Sequence, residues 1–516
     1  MGKFSTANII FVLIILCYSA IELVFISTED LTSDETAHLA YGARILNGNA
    51  YKRSCTLDDS KMPVSALNAI PRAVQQLFHP GLKKSDNGAS DTRQGRYITF
   101  LISIISLLIV FKWSRELYGT NAGLFSMALT AFCPTFLAHS GLVTTDAYSG
   151  LIILLTLYTL WRYFNTHTRK WFILFCVFTG VAQITKQTFF HLYILLPLFL
   201  GIYHVLTRSS FNIKMALFNL LIFAAINLFI INAAFLFYQT GKPLSAYVFV
   251  SSMFNNMQQH LSFLGNIPLP LPSPFLIGMD SVKYVDEKGG GYPEDSFPMV
   301  SILGLQEPGK SYWFYYIVTM FFKTPIVTLA FFLITFFYLF KKSNRSFLIA
   351  NELFLFIPFV FFFIIMSFTN HIQMGVRHIL FLYLLLYILC GKIFLHAKLK
   401  TAKIWLAAGC MWLLISIFMY ANDYIPYTNE FILDKKLAFK KVGTTNIDFG
   451  QGYTAANEYI NTHPEVRLAG NEPGEGKFII TLGNYEDIFG EHKYTWIQKY
   501  VPYGHVRYTY LLIEVK

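Results

Sequence analysis

The sequence predicts an all-α polytopic membrane protein with a small α+β domain at its C-terminal end. Of the 516 residues, 54% are apolar and 17% aromatic, far above the balance of an ordinary soluble domain. Apolar runs of spanning length recur along most of the chain. After about residue 423 the pattern changes to short strand-like runs. The net charge of +11 does not point to nucleic acid, because the cations gather in short connections between apolar runs, where they set topology.

The runs give about eleven helices by the ~20-residue criterion, near 8–26, 97–114, 121–138, 147–164, 171–186, 189–206, 215–238, 312–340, 349–368, 378–396 and 404–421. The fifth and sixth share a short break around Lys186. Only Lys3 precedes the first run and no small-residue cleavage site follows it, so Met1 to Ile26 is expected to stay as a signal anchor. The start MGKFST fits a myristoylation pattern, which a spanning helix makes redundant. With the N-terminus inside, Lys112, Arg115, Arg162, Arg169, Lys170, Arg208, Lys214, Lys341, Lys342, Arg345, Lys398, Lys400 and Lys403 all fall on the inner side. Five cysteines lie within apolar runs and Cys55 lies in a polar loop; neither a disulfide framework nor a zinc spacing is visible.

The transmembrane unit, 1–422, then presents outer loops at 27–96, 139–146 and 239–311, and an extracytoplasmic domain at 423–516. The 239–311 loop contains "IPLPLPSP" and "EKGGGYPED", which predict irregular structure or a mobile flap. In the tail, "KFIITLG" and "RYTYLLIEV" read as strands and "QGYTAANEYINTH" as a helix. The chain has no internal repeat of the inverted kind on which many transporters are built.

The candidate chemistry lies mainly on the outer side. In "LTSDETAHLAYGARIL", Thr32 and Glu35 have capping-box spacing, so a helix is expected to start there along the membrane surface. Asp34 sits in its first turn, His38 follows at i+4 on the same face, and Arg44 lies further along. Asp146 opens the fourth helix after "LVTT". Acids at helix starts are often plain caps. Two carboxylates from different loops at one face also serve as a general base, or hold a divalent cation through oxygen ligands; the metal requirement stays open. Lys61, in "SKMPVSALNAIP", is by ordinary expectation a surface lysine. Lys323 lies about twelve residues inside an apolar run, beside Pro325, where a charge is costly and marks a site. Arg377 and His378 stand at the outer end of the tenth helix. Carboxylates with cations at one membrane face suit a reaction in which an acid prepares a nucleophile while cations hold a departing phosphate.

In order along the chain, these segments resemble the GT-C phospholipid-carrier-dependent glycosyltransferases of the protein O-mannosyltransferase and aminoarabinose-transferase type. "SDETAHLAYGARIL" resembles the family's Asp-Glu motif, and "KMPVSALNAIP" its Lys-Pro-Pro segment with Met62 in place of the first proline. "HSGLVTTDAYSGL" is similar to the second-loop Thr-Asp motif. "ILGLQEPGKSYWFYYIVTMFFKTPI" resembles the Leu-Gly-Glu…Tyr-Phe…Lys-Thr-Pro segment, with Gln306-Glu307 displaced from the family's acid. "GVRHILFLYLLLYIL" matches the Gly-Ile-Arg-Tyr/His start of a late helix, and "TTNIDFGQG" the tail's Ser-Asn-x-Asp-Trp-Gly-Gln motif with Phe449 for Trp. The resemblance implies a GT-C fold, a sugar donor on a polyprenyl phosphate, inverting transfer to a protein, lipid A or glycan acceptor, and Asp34 as leading carboxylate.

The expected assignment is Asp34 as base, with Glu35 and Asp146 in support and Lys61, Lys323, Arg377 and His378 on the donor phosphate. His38 and Arg44 are supporting. The expected location is a bacterial inner membrane with the site facing the periplasm or exterior, the alternative being the lumenal face of the endoplasmic reticulum. The rival class is a lipid or solute transporter or flippase, with Lys323 as counter-charge.

Overall fold

The protein is described from a computed structural model, which covers residues 6–54, 60–79, 81, 88–208, 212–289, 300–341, 345–396, 399–420, 423–488 and 490–516. Cys55 lies outside the described residues. The chain is mostly helical. Its N-terminal part runs through α1 (Thr6–Thr28), α2 (Glu35–Leu46), α3 (Ala66–Phe78), α4 (Ala89–Tyr118), α5 (Thr120–Ala131), α6 (Pro134–Ser140) and α7 (Asp146–Thr166). It continues through α8 (Arg169–Gln183), α9 (Leu192–Thr207), α10 (Ile213–Ala234), α11 (Ser252–His260), α12 (Ser273–Glu287), α13 (Tyr315–Lys323) and α14 (Ile326–Leu339).

Among the described residues, seven helices are long and apolar enough to cross a membrane, or nine if each of two bent pairs is one span. The difference from eleven lies in α7 and α8, which pack against each other in the expected places but fall short of that criterion. Both bends occur at prolines. Between α5 and α6 the axis turns by 66° before Pro134, and between α13 and α14 by 119° at Pro325. A proline supplies no amide hydrogen to the preceding turn. The carbonyls released at the second bend are taken up by Asn429, whose amide donates to Phe321 O and Thr324 O at 2.6 and 2.9 Å.

Burial separates centre from rim. The span Val376–His396 is 83% buried, whereas Ile213–Ala234 is 17% buried and turns most of its apolar surface outward, as a lipid-facing helix does. Arg377 and His378 therefore stand at the entrance of the central helix.

The 239–311 segment is more ordered than its composition predicts. Pro274 near the start of α12 is the favoured place for proline at a helix N-terminus, and α11 is capped by Ser251, whose Oγ accepts from Phe254 N at 3.1 Å. Asp280 and Glu287 of α12 accept backbone N–H groups from 250–253, tying the two helices together. Residues 290–299, most of "EKGGGYPED", lie outside the described residues.

The tail carries the expected helix (Tyr453–Thr462) and a four-stranded sheet in the order β1-β2-β4-β3. The strands are β1 (Val466–Leu468), β2 (Gly476–Thr481), β3 (Gly504–Val506) and β4 (Tyr510–Val515). β1 and β2 are parallel; the other two pairings are antiparallel. Alternate residues Phe478, Ile480, Leu511 and Ile513 face one apolar core, while Ile479 and Leu512 face a second under the helix. Polar ties fix the tail to the start of the first loop. Thr454 donates through N and Oγ1 to Asp30 at 2.8 and 2.7 Å, and Arg507 pairs with Glu29 at 2.9 Å and with Asp423.

Candidate active site

Segments far apart in sequence meet at the N-terminus of α2. Asp34 is the N-cap residue of α2, yet its side chain makes no capping hydrogen bond. Its carboxylate reaches outward instead, accepting from Arg377 Nη1 at 2.8 Å and lying 3.6 Å from Lys61 Nζ. Asp146 at the start of α7 is likewise not spent on a cap. It accepts from Lys186 Nζ at 2.7 Å and from Thr144 Oγ1 at 3.2 Å, with Arg377 3.7 Å away. Arg377 thus stands between the two carboxylates.

Access differs within the cluster. The Asp34 side chain is 30% exposed, against 8% for Lys61, 7% for Arg377 and 3% for Asp146. Asp34 is the group an incoming molecule meets first. Burial pushes its carboxyl up, but Lys61 and Arg377 outweigh burial and hold it well below the usual carboxylate range. Burial likewise raises Asp146, and Lys186 and Arg377 reverse it. His38, buried against Ser65 with Nδ1 3.2 Å from its Oγ, is held well below the usual imidazole range by burial and by Lys61, so the ring is neutral.

Packing beneath α2 sets these positions. A Cβ on Gly42 would stand 2.2 Å from Ser65 O, so only glycine lets α2 approach the turn that follows Lys61. Met62 is 1% exposed and fills a core with Tyr41, Ile45 and Tyr148. Lys61 is 6% exposed, which corrects the ordinary expectation of a surface lysine; Pro63 and the buried Val64 beside it draw the segment inward.

Glu35 is placed differently from Asp34. Its side chain is fully buried and receives Arg96 Nε and Nη2 at 2.8 and 2.6 Å, Thr32 N and Oγ1 at 3.0 and 3.1 Å, and Val143 N at 2.9 Å. The Glu35 half of the capping box is realised at Thr32 N, but the helix starts later than expected, with Asp34 as its N-cap, and the Thr32 hydroxyl donates to the carboxylate instead of accepting a backbone N–H; the carboxylate joins the first loop, α4 and the second loop. Glu35 therefore builds the frame and turns no free oxygen toward Asp34. Arg44 is ten residues beyond Asp34, about 15 Å along the helix, with its guanidinium 5.2 Å from the Tyr41 ring centre. That placement takes it away from the carboxylate.

Lys323 ends α13 and is 2% exposed. Its ammonium donates to Ile425 O and Asn446 O, both at 2.6 Å. The 119° bend brings it against the tail rather than to the middle of a straight span, and it sits behind the Asp34 cluster rather than within it. His378 follows Arg377 in the first turn, within electrostatic reach of Lys186 and Asp146.

The tail motif closes the site. Phe449 O accepts from Ser33 N and Oγ, both at 2.9 Å, directly before Asp34. The Phe449 ring lies under the Arg377 guanidinium at 4.1 Å, a favourable cation–π arrangement. Gln451 locks the turn by accepting from Phe449 N and donating to Ile447 O. Gly450, at φ +88°, passes so close to Ser33 that a Cβ would stand 2.8 Å from its Oγ. Asn446 accepts from Val376 N at 2.9 Å and donates to Tyr315 OH at 2.9 Å, and Tyr315 OH accepts from Gly375 N.

Sequence reasoning missed Lys186, Arg96 and the contact of Phe449 with Arg377. Lys186 had one visible signal: it interrupts an apolar stretch. Glu307 is exposed and pairs with Lys310, away from the cluster. Among the described residues no group of three or more His, Cys, Asp or Glu side chains could hold a metal ion; between Asp34 and Asp146 the bridging place is taken by Arg377.

Residues 88–233 match the model of the dolichyl-phosphate-mannose-protein mannosyltransferase family. The fold is similar to that of ArnT from Cupriavidus metallidurans in the apo state, at 12% identity and TM-score 0.51 over 99% of this chain and 98% of that one. It is also similar to the apo oligosaccharyltransferase of Archaeoglobus fulgidus, at 11% identity and TM-score 0.52 over 86% of this chain and 57% of that one. No curated protein matches in sequence. The chain is thus a polytopic membrane protein of the GT-C fold, similar over residues 88–233 to the dolichyl-phosphate-mannose-protein mannosyltransferases.

Proposed function

We propose that the protein is a glycosyltransferase that moves a sugar from a polyprenyl-phosphate carrier to an acceptor hydroxyl, with inversion, at the outer face of a membrane. The observation that carries this reading is the Asp34 cluster, in which a partly exposed carboxylate meets two cations, Lys61 and Arg377, at the mouth of the central helix. The family model matched over 88–233 is named for a lipid-phosphate sugar donor, which favours a carrier of this class.

In the proposed step the acceptor oxygen attacks the anomeric carbon, the bond from that carbon to the carrier phosphate breaks, and the acceptor proton passes to Asp34. The phosphate leaves with the bonding pair as a stable anion, so no separate acid is required, and Lys61 and Arg377 take up its charge. In the resting site these cations make Asp34 a weak base. A phosphate that engages them adds negative charge beside Asp34 and raises its basicity when the donor is present. With Asp34 as the base, a covalent sugar intermediate would need another accessible carboxylate as the nucleophile, and Asp146 is 3% exposed and paired with Lys186. That supports a single displacement. Asp146 positions Arg377, and Lys323 acts through the tail segment it holds.

The bent α13–α14 pair is a feature that a transporter would also show. Its lysine, however, is held by two backbone carbonyls of the tail segment. Asp34→Asn is expected to lower turnover of purified lipid-linked donor by about 10²–10⁴-fold, while mass spectrometry of the producing cells finds the acceptor lacking one sugar and the donor accumulated. Turnover within a few-fold of the parent, or unchanged glycoconjugates with a displaced lipid pool, would remove the transferase reading.

A further inference from the structure

The tail holds a concavity that the reaction cluster does not use. It opens between the helix Tyr453–Thr462 and the sheet, has a volume of about 150 Å³, and is bordered by Tyr453, Tyr494, Tyr510, Asn457, Asn484 and Thr481 over a floor of alanine, isoleucine and leucine side chains. No Asp, Glu, Lys or Arg lines it. Beside the charge-rich Asp34 cluster, this neutrality is distinctive.

Size and chemistry narrow the occupant. A cavity of about 150 Å³ admits one six-membered ring. Tyrosine rings offer flat apolar faces with a polar tip, and asparagine and threonine add donors and acceptors at the edge. A neutral pyranose has the matching form, with C–H faces that lie on aromatic rings and a rim of hydroxyls that amides bind. A phosphate or a uronate would find no cation to meet it. Tyr453 is 66% exposed and Asn457 is exposed, so a ligand reaches both without rearrangement.

Position links the cleft to the reaction. Tyr453 follows the Phe449–Gly452 turn, whose Phe449 carbonyl is held by Ser33 beside Asp34. The next residue, Thr454, is bonded to Asp30. One short connection therefore fixes the cleft relative to the carboxylate.

We infer that this cleft is an acceptor subsite for a neutral pyranose, so that the acceptor is a glycan whose sugar ring rests in the tail while its reacting hydroxyl lies toward Asp34. This rests on the glycosyltransferase reading for its purpose, but binding is measurable without turnover. The detergent-purified full chain would be titrated with maltose, cellobiose and α-1,6-mannobiose, with a glucuronate-containing disaccharide, and with a neutral Ser/Thr peptide, following saturation transfer by NMR. At least one neutral disaccharide is expected to bind, with affinity at least ten-fold weaker in Tyr453→Ala and in Asn457→Ala, largely kept in Tyr453→Phe and kept in Asp34→Asn; the glucuronate probe is not retained. Absence of neutral-sugar binding, affinity indifferent to both alanine variants, or Tyr453-dependent binding of the peptide alone would overturn the inference. If no sugar binds while Asp34→Asn still abolishes turnover, the cleft alone fails. If sugar binds in the Tyr453-dependent way but no lipid-linked donor turns over, the cleft stands and the transferase reading falls.

Discussion

Two buried sets of charges lie at opposite ends of the helical bundle, and they are built on different plans. At the end remote from Asp34, Lys392 donates to both oxygens of Glu352 at 2.7 Å, Tyr118 OH adds a third bond at 2.8 Å, and the pair is 1% and 0% exposed. One positive group meets one negative group, and neither is open to solvent. At the loop face, two carboxylates, Asp34 and Asp146, meet three cations, Lys61, Lys186 and Arg377, and one carboxylate is partly open to solvent. A balanced, closed pair holds helices together. A set with a cation in excess and an accessible edge is ready to take an anion.

The largest effect that tests this contrast comes from opening the closed pair. Lys392→Met leaves Glu352 buried beside an apolar group and is expected to cost about 3–5 kcal/mol in denaturant unfolding, whereas Lys392→Met with Glu352→Leu recovers most of that loss. If the single variant is as stable as the parent, the pair is not the closed unit described. Next, Arg377→Gln is expected to reduce turnover by about 10²–10³-fold with the melting temperature moved by only a few degrees. A collapse in melting temperature alongside activity would place Arg377 in the same class as Lys392 and erase the distinction.

The smallest effect concerns a third kind of buried carboxylate. Glu486 meets Ser301 Oγ at 2.5 Å and Thr444 N at 3.2 Å instead of a cation, and burial pushes its carboxyl up to about 7. The folded chain therefore holds a proton that the unfolded chain has released. The stability this group contributes is complete below its unfolded value near pH 4.5 and is lost as the pH rises through about 7. Glu486→Gln should remove roughly 1–3 kcal/mol of pH dependence between pH 5 and pH 8. Glu29, also raised to about 7 by burial, has the same sign and remains in the variant, so the difference between the two unfolding profiles is the measurement. Equal slopes would show that Glu486 is solvated.

Asp34, Asp146 and Arg377 were legible because each sits in a short polar segment at the edge of an apolar run, where a charge stands out; Lys61 lies within the long first loop, where composition alone places a lysine at the surface. Lys186 was not, because a lone lysine in a break between two apolar helices looks like a boundary. The frame residue Arg96 was not either, because the apolar run was read as starting at residue 97 and left Arg96 as the end of the first loop, whereas α4 begins at Ala89 and carries it inside the helix. Glu35 was misjudged beside Asp34: adjacent helical positions face different directions, and the sequence does not say which faces the mouth. The depth of Lys323 was read along a straight axis, while Thr324-Pro325 turns the chain by 119°. In the 239–311 segment, proline was read as a breaker where Pro274 starts a helix.

The carbonyls that receive Lys323 and the ring beneath Arg377 belong to residues 425–449, which follow every described bundle helix in the chain. During synthesis the bundle enters the membrane before these residues exist. Asp34 is exposed from the first loop onward, but the surface that seats its cation partner arrives last and on the same side. The protein therefore has no assembled site while it is still being inserted, and a chain that places its tail on the wrong side stays without one.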